Sequence, residues 1–250
     1  MARENLIVAA FRRQAAGCRT LEDLGSLIAE AAPEAGFRFF ALSRVTNNVA
    51  GEPRLHSIDN YPQSWTERVV ARQLFLHDPV LEAGRTAIGG FPWSDLGRHV
   101  RLSAEQRLML ADASRAGLRN GFTVAAQIPF EPRATCTLAT TRAAPIATWR
   151  AQTAELLGLE ALRVARRLGG APPCPRDLHF SRRETQVLDL LVAGKSYSVM
   201  ADLLGISHNT VKVYAGAVLA KLGVADRTRA AVLAAAWGLA AFDPSIPPAG

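Results

Sequence analysis

From residue 181 onward, apolar positions recur at helical spacing in four short bursts separated by polar or glycine-bearing turns. Ser181-Arg182-Arg183-Glu184 opens a segment that runs to Val192, and further segments span Tyr197 to Leu204, His208 to Leu222 and Arg227 to Leu239. Apolar residues three and four apart give each segment one side to bury, so the spacing predicts four helices and no strand. The third segment is the most informative. Val211, Ala215, Val218 and Leu222 form its apolar stripe, and Ser207 is suited to cap its start. The opposite side carries His208, Asn209, Lys212, Val213, Gly216 and Ala217, polar at its beginning and nearly bare beyond. A solvated face normally carries Glu and Lys, and Gly216 costs a helix interior about 1 kcal/mol relative to Ala. Two short helices joined by a turn at Gly205 predict a helix-turn-helix, whose second helix enters the major groove. In that setting Asn209 can pair with adenine, Lys212 can reach guanine or a phosphate, and the first turn from Ser207 to Thr210 favours a phosphate. Val213 and Gly216 complete a face small enough for close approach. A plain helical hairpin is the alternative.

Before residue 169 the pattern is mixed. Helical periodicity is expected at 4–15, 20–33, 62–74, 79–88, 103–117 and 147–168, with strand-like alternation at 37–45, 122–129 and 135–141. This predicts an α+β domain, an α-β-α sandwich with helices on both sides of a mostly antiparallel sheet. Gly169-Gly170-Ala171-Pro172-Pro173-Cys174-Pro175 breaks any helix, so a linker is expected at 169–177 between this larger N-terminal domain, 1–168, and an all-α domain, 178–250.

At 250 residues and 49% apolar composition, with mean hydropathy +0.07, each part has enough apolar surface for a core. The net charge of +7 and pI near 10.0 fit a nucleic-acid partner, but the excess is spread along the chain. All three lysines, Lys195, Lys212 and Lys221, lie in the last third, where a phosphate backbone would want them. Cys18, Cys136 and Cys174 are odd in number and lack metal-ligand spacing, which argues against a disulfide framework and a metal. The six-residue apolar run near the start is too short for a signal peptide. With no apolar span of membrane length, the expected location is the cytoplasm, without a membrane partner.

The segment from Ser181 to Leu239 resembles the LuxR-type helix-turn-helix along its length, through Glu184, Leu188, Gly194, Lys195, Ser207, Thr210, Val211, Lys221, Leu222 and Gly223. Val199 departs from the family's usual Glu, and Tyr214 from its frequent His. A phosphorylated receiver needs a Lys near its phosphoacceptor, and none occurs before Lys195. Instead NYPQSWTERVVARQLFLHDPV, FPWSDL and GLRNGFTV resemble the autoinducer-binding domain of quorum-sensing LuxR proteins, with Tyr61, Trp65, Asp78, Pro79, Trp93 and Gly121 at the family's spacing. The resemblance implies a transcription regulator rather than an enzyme, with no cofactor. Its expected partners are an N-acyl homoserine lactone, double-stranded DNA at a two-fold symmetric site, a second copy of the chain and RNA polymerase.

The residues suit such a ligand chemically. An acyl homoserine lactone offers one amide N–H and two carbonyl oxygens, so its pocket needs one acceptor and two donors among apolar walls. Asp78 can accept from the amide, the Trp65 indole can donate to the lactone carbonyl and the Tyr61 hydroxyl to the acyl carbonyl. Tyr61 and Trp65, four apart, are expected on one helix face. Trp93 would wall off the ring, Thr137 would add a hydroxyl, and Gly121 is expected to serve a turn into a strand. Val69 stands where the family commonly has Tyr, leaving extra room beside the acyl chain. Asp78-Pro79 also fits a helix N-cap, and one carboxylate can serve both roles. His56, His77 and His99 lack a placed nucleophile, so no catalytic constellation is expected. The competing reading is the same DNA module with a sensor for a different metabolite or a partner protein.

Overall fold

A computed structural model describes residues 2–47, 51–128, 131–169 and 178–240. The chain forms two compact units that part near residues 171 and 172. Most of the expected linker, 170–177, and Cys174 with it, lies outside the described residues.

The N-terminal unit runs α1 (Ala2–Ala15), α2 (Leu21–Glu34), β1 (Phe39–Asn47), β2 (Pro53–Asp59), α3 (Gln63–Ala71), α4 (Pro79–Ala83), β3 (Gly90–Pro92), α5 (Leu96–His99), α6 (Ala104–Arg115), β4 (Asn120–Ala126), β5 (Ala134–Thr140) and α7 (Thr148–Leu168). Five strands form one sheet in the order β2-β1-β5-β4-β3, with every pair antiparallel. Because strand side chains alternate, the sheet has two distinct faces. Phe40, Leu42, Phe122, Val124, Cys136 and Leu138 pack with α1, α2 and α7 in one apolar core. Ala41, Ser43, Thr135 and Thr137 point the other way, toward the layer of α3, α4 and α6.

The strands β2 and β3 were not expected from the sequence. β2 lies at the sheet edge with a weak alternation, and β3 has three residues. The helix expected at 62–74 stops at Ala71, because Gln73 adopts a left-handed backbone at φ 50° that no glycine announces. A 3₁₀ turn over Leu74–Leu76 follows and buries Phe75. Likewise the helix expected at 79–88 ends at Ala83.

The C-terminal unit is α8 (Arg182–Val192), α9 (Tyr197–Leu204), α10 (His208–Leu222) and α11 (Arg227–Ala236). Its helices start where the sequence places caps: the side chains of Ser181, Ser196, Ser207 and Asp226 each accept from a backbone N–H in the first turn. Gly205 ends α9 at φ 63°, a conformation that costs other residues energy, and so sets the turn into α10. Val187, Leu188, Met200, Val211, Ala215 and Val218 form the buried centre.

Candidate functional site

All six residues expected to form the sensor site, Tyr61, Trp65, Val69, Asp78, Trp93 and Thr137, line a single cavity between the sheet and the α3–α6 layer. Trp65 and Val69 are one turn apart on α3, and both are buried. The Arg68 guanidinium lies 5.1 Å from the Trp65 ring centre and pairs with Asp112 of α6 at 3.6 Å, fixing the indole from outside. Tyr61 does not share the helix with Trp65. Pro62 caps α3, so Tyr61 precedes it, edge-on to Phe39 at 6.3 Å between ring centres. Burial, and after it the negative charges of Asp78 and Asp59, hold its phenol well above the usual range, so it remains an O–H donor.

Asp78 serves as the N-cap of α4, its Oδ1 accepting from the Val80 N–H at 2.8 Å, with Pro79 at the first helical position. Burial pushes its carboxyl up to about 6, against the opposing pull of the Val80 and Leu81 N–H groups. A carboxylate has about four lone-pair sites, so the cap leaves acceptor capacity beside the cavity. Behind it, Gln106 at the start of α6 donates to the His77 carbonyl and to Glu82, tying α6 to α4.

Trp93 follows β3, whose pairing with β4 sets Pro92 opposite Phe122 and Phe91 opposite Thr123. Its ring lies against Gly121. A Cβ there would come within 2.7 Å of the indole, so this glycine lies within β4 and makes room for Trp93 instead of serving a turn. The indole Nε1 donates to the Thr123 hydroxyl at 3.0 Å, and Thr123 Oγ1 is 2.9 Å from Thr137 Oγ1. Thr123 is fully buried and has no other acceptor among the described residues, so its hydrogen goes to Thr137. Thr137 then keeps its own O–H for the cavity. Sequence reading missed Thr123, although it stands directly opposite Thr137 in the β4–β5 register. The Trp65 indole N–H has no hydrogen-bond partner among the described residues.

In the C-terminal unit, α10 buries Val211, Ala215, Val218 and Leu222 and leaves His208, Asn209, Lys212, Val213 and Gly216 exposed. Val213 is 70% exposed, an apolar side chain on a face that nothing within its unit covers. A Cβ at Gly216 would meet no atom within 4 Å, so packing within the unit does not require glycine there. The hydroxyls of Ser207 and Thr210 are 2.8 Å apart, and Ser207 also accepts from the Thr210 N–H; both are engaged in the cap. His208 leans on Tyr197 of α9, with 6.2 Å between ring centres.

The expectation for the lysines needs correction. Lys195 is 2% exposed and cannot offer its ammonium to a phosphate. Lys221 donates to Glu184 at 2.6 Å and to the His179 carbonyl at 2.9 Å, pinning α10 to α8. Lys212 is exposed and has no ion-pair partner among the described residues.

A ligand cavity backed by an antiparallel sheet, with a separate helix-turn-helix that presents an open helix face, defines a regulator that couples a small molecule to DNA. The sequence families agree with the geometry. Residues 20–168 match the autoinducer binding domain and residues 178–234 match the bacterial regulatory proteins of the luxR family; the chain belongs to the LuxR family of autoinducer-binding transcription regulators. It is 29% identical over 193 residues to the regulatory protein SdiA of Escherichia coli (strain K12), covering 75% of this chain and 77% of that protein. It is 25% identical over 205 residues to the transcriptional activator protein CarR of Pectobacterium carotovorum subsp. carotovorum, covering 78% and 82%. A crystal structure of Escherichia coli SdiA superposes with a TM-score of 0.58 at 26% identity, over 92% of this chain and 98% of that one. SdiA in complex with octanoyl-rac-glycerol gives 0.59 at 25% identity, over 94% of each chain. No helix among the described residues is long and apolar enough to cross a membrane.

Proposed function

We propose that the sensor cavity takes an N-acyl homoserine lactone and that the liganded protein binds a two-fold symmetric promoter site as a homodimer, where RNA polymerase is its further partner. The observation that carries this reading is the set of unspent polar groups around one largely apolar cavity. Asp78 accepts the amide N–H, the Trp65 indole donates to the lactone carbonyl, Tyr61 donates to the acyl carbonyl, and Trp93 walls the ring with Thr137 beside it. The acyl group adds apolar surface against Val69, Phe75 and Leu81, so ligand stabilises the folded sensor by mass action. The signal is the only small molecule the reading requires. On DNA, Asn209, Lys212 and Val213 meet base edges or phosphates, and paired recognition helices read half-sites about one helical turn apart.

The complex of SdiA with octanoyl-rac-glycerol favours a second reading, an acyl glycerol in the same cavity. Such an ester has no amide N–H, so a glycerol hydroxyl would donate to Asp78 instead. Isothermal titration with both ligand types, together with mass spectrometry of ligand extracted from purified protein, separates the two. Asp78→Asn and Trp65→Phe should each weaken lactone binding by about 1–3 kcal/mol, the penalty of a buried polar group left unpaired. Unchanged affinity in both variants would remove these residues from the site.

A further inference from the structure

The sensor cavity encloses about 80 Å³, and by the measure in which one water needs roughly 10–15 Å³ it holds a handful of waters. That is room for a polar head group and the first part of an acyl chain beside Val69, not for the whole of a longer tail. A second cavity, of about 440 Å³, begins where the first ends: Ser43, Phe75, Asp78, Leu81 and Thr135 line both. The two therefore adjoin along the sheet. The first is backed by Ala41 and Thr137, and the second continues past Val45 and Ala134. Its wall also carries three charged side chains, Glu82, Arg85 and Arg133. The Glu82 carboxylate accepts from Gln106 at 2.6 Å. Arg85 and Arg133 have no carboxylate partner and no side-chain hydrogen bond among the described residues.

Two unpaired guanidinium groups are poor company for a hydrocarbon tail, which would strip their water and return nothing. They suit an anion, which a guanidinium grips through two parallel hydrogen bonds. Arg133 and Thr137 are four positions apart, about 13 Å along an extended chain, the reach of a medium-length acyl chain. We propose that the second cavity is an anion subsite for the far end of the signal, so that the natural ligand is an acyl compound whose tail ends in a carboxylate held by Arg85 and Arg133. This rests on the reading of the first cavity as the lactone head-group site. Phe75 and Leu81, shared by the two cavities, contact the methylenes between.

The test is calorimetric titration of the full-length protein with a straight-chain acyl homoserine lactone and with the same molecule carrying a carboxylate at the end of its chain. Both arginines are exposed, so the partial screening of such pairs limits the expected preference for the carboxylated ligand to about tenfold. That preference should shrink with added salt and vanish in the Arg85→Gln/Arg133→Gln double variant, whose affinity for the plain lactone and whose ligand-free melting temperature stay as in the wild type. Equal affinity of the wild type for the two ligands overturns the subsite and leaves the lactone reading standing. So does a preference that survives in the double variant. If neither ligand binds, the lactone reading falls and the subsite falls with it.

Discussion

Asp78 caps α4 and, in the proposed site, also accepts from the ligand, so its ionisation would couple fold and binding. Its carboxyl is raised to about 6 in the ligand-free fold, against about 3.9 in an unfolded chain. A folded value above the unfolded one means that its contribution to stability is fully present below about pH 4 and is lost as pH rises through about 6. An amide N–H donated by the ligand favours the ionised form, so binding should release a proton near pH 6, and affinity should fall by close to tenfold per pH unit below it. Titration across pH 5 to 7 in buffers of different ionisation enthalpy measures both effects, and a flat affinity profile would take Asp78 out of ligand contact. Val69 is the other residue with a distinct consequence. It is buried against the cavity, so Val69→Tyr should overpack a ligand-filled pocket by about 1–3 kcal/mol. Straight-chain ligands should suffer less than branched or aryl ones in a reporter assay, and an unchanged ranking would mean that Val69 does not face the acyl group. At this scale the lining of the cavity was partly legible: the six residues that the family resemblance brought together share one cavity. Thr123 was hidden because a threonine in a strand carries no mark of what faces it. Lys195 misled because charge predicts exposure on average, not at each position.

Among the elements, α10 carries two lysines nine residues apart, Lys212 exposed and Lys221 pinned to α8. Lys212→Ala should weaken operator binding. If the ammonium meets a phosphate, the slope of log affinity against log salt should flatten by about one unit; if it meets guanine, preference at one base pair should relax. Lys221→Ala should leave that slope alone and lower the melting temperature of the C-terminal unit, because it unpins α10 from the Glu184 carboxylate on α8. Binding curves at several salt concentrations, set beside thermal melts, tell the two apart; a matching loss of slope in both variants would return Lys221 to the DNA face. The helices of this unit were legible to within a residue or so at most ends because serine and aspartate caps punctuate them. The N-terminal unit was less so. Its strands β2 and β3 owe their existence to neighbours more than to their own alternation, and the break after α3 coincides with a left-handed Gln73 that its residue type does not announce.

For the whole molecule, the proposed dimer has a candidate surface on α7. Leu156 and Leu159 are 38% and 46% exposed on the side of α7 away from the sheet. Ile88 is fully exposed two residues from Gly90, whose N–H donates to Glu155 of the same helix. Charged substitution of both leucines, Leu156→Glu/Leu159→Glu, should shift liganded protein from dimer to monomer in sedimentation analysis and cost operator affinity with it, while ligand binding persists. A dimer of undiminished strength would move the interface elsewhere. The division of the chain into an α+β part and an all-α part was readable from the change in hydrophobic period and the proline- and glycine-rich stretch between them.

The alternation of β5 has a consequence for descent. Thr135 and Thr137 border the cavity, whereas Cys136 and Leu138 belong to the apolar core on the other face. Neighbouring codons are therefore subject to different selection. In the proposed site, changes at 135 and 137 would retune which signal is heard while the scaffold persists, and changes at 136 and 138 would threaten the scaffold while leaving the signal's chemistry alone. A lineage of such receptors can diverge in what it hears without first rebuilding how it folds.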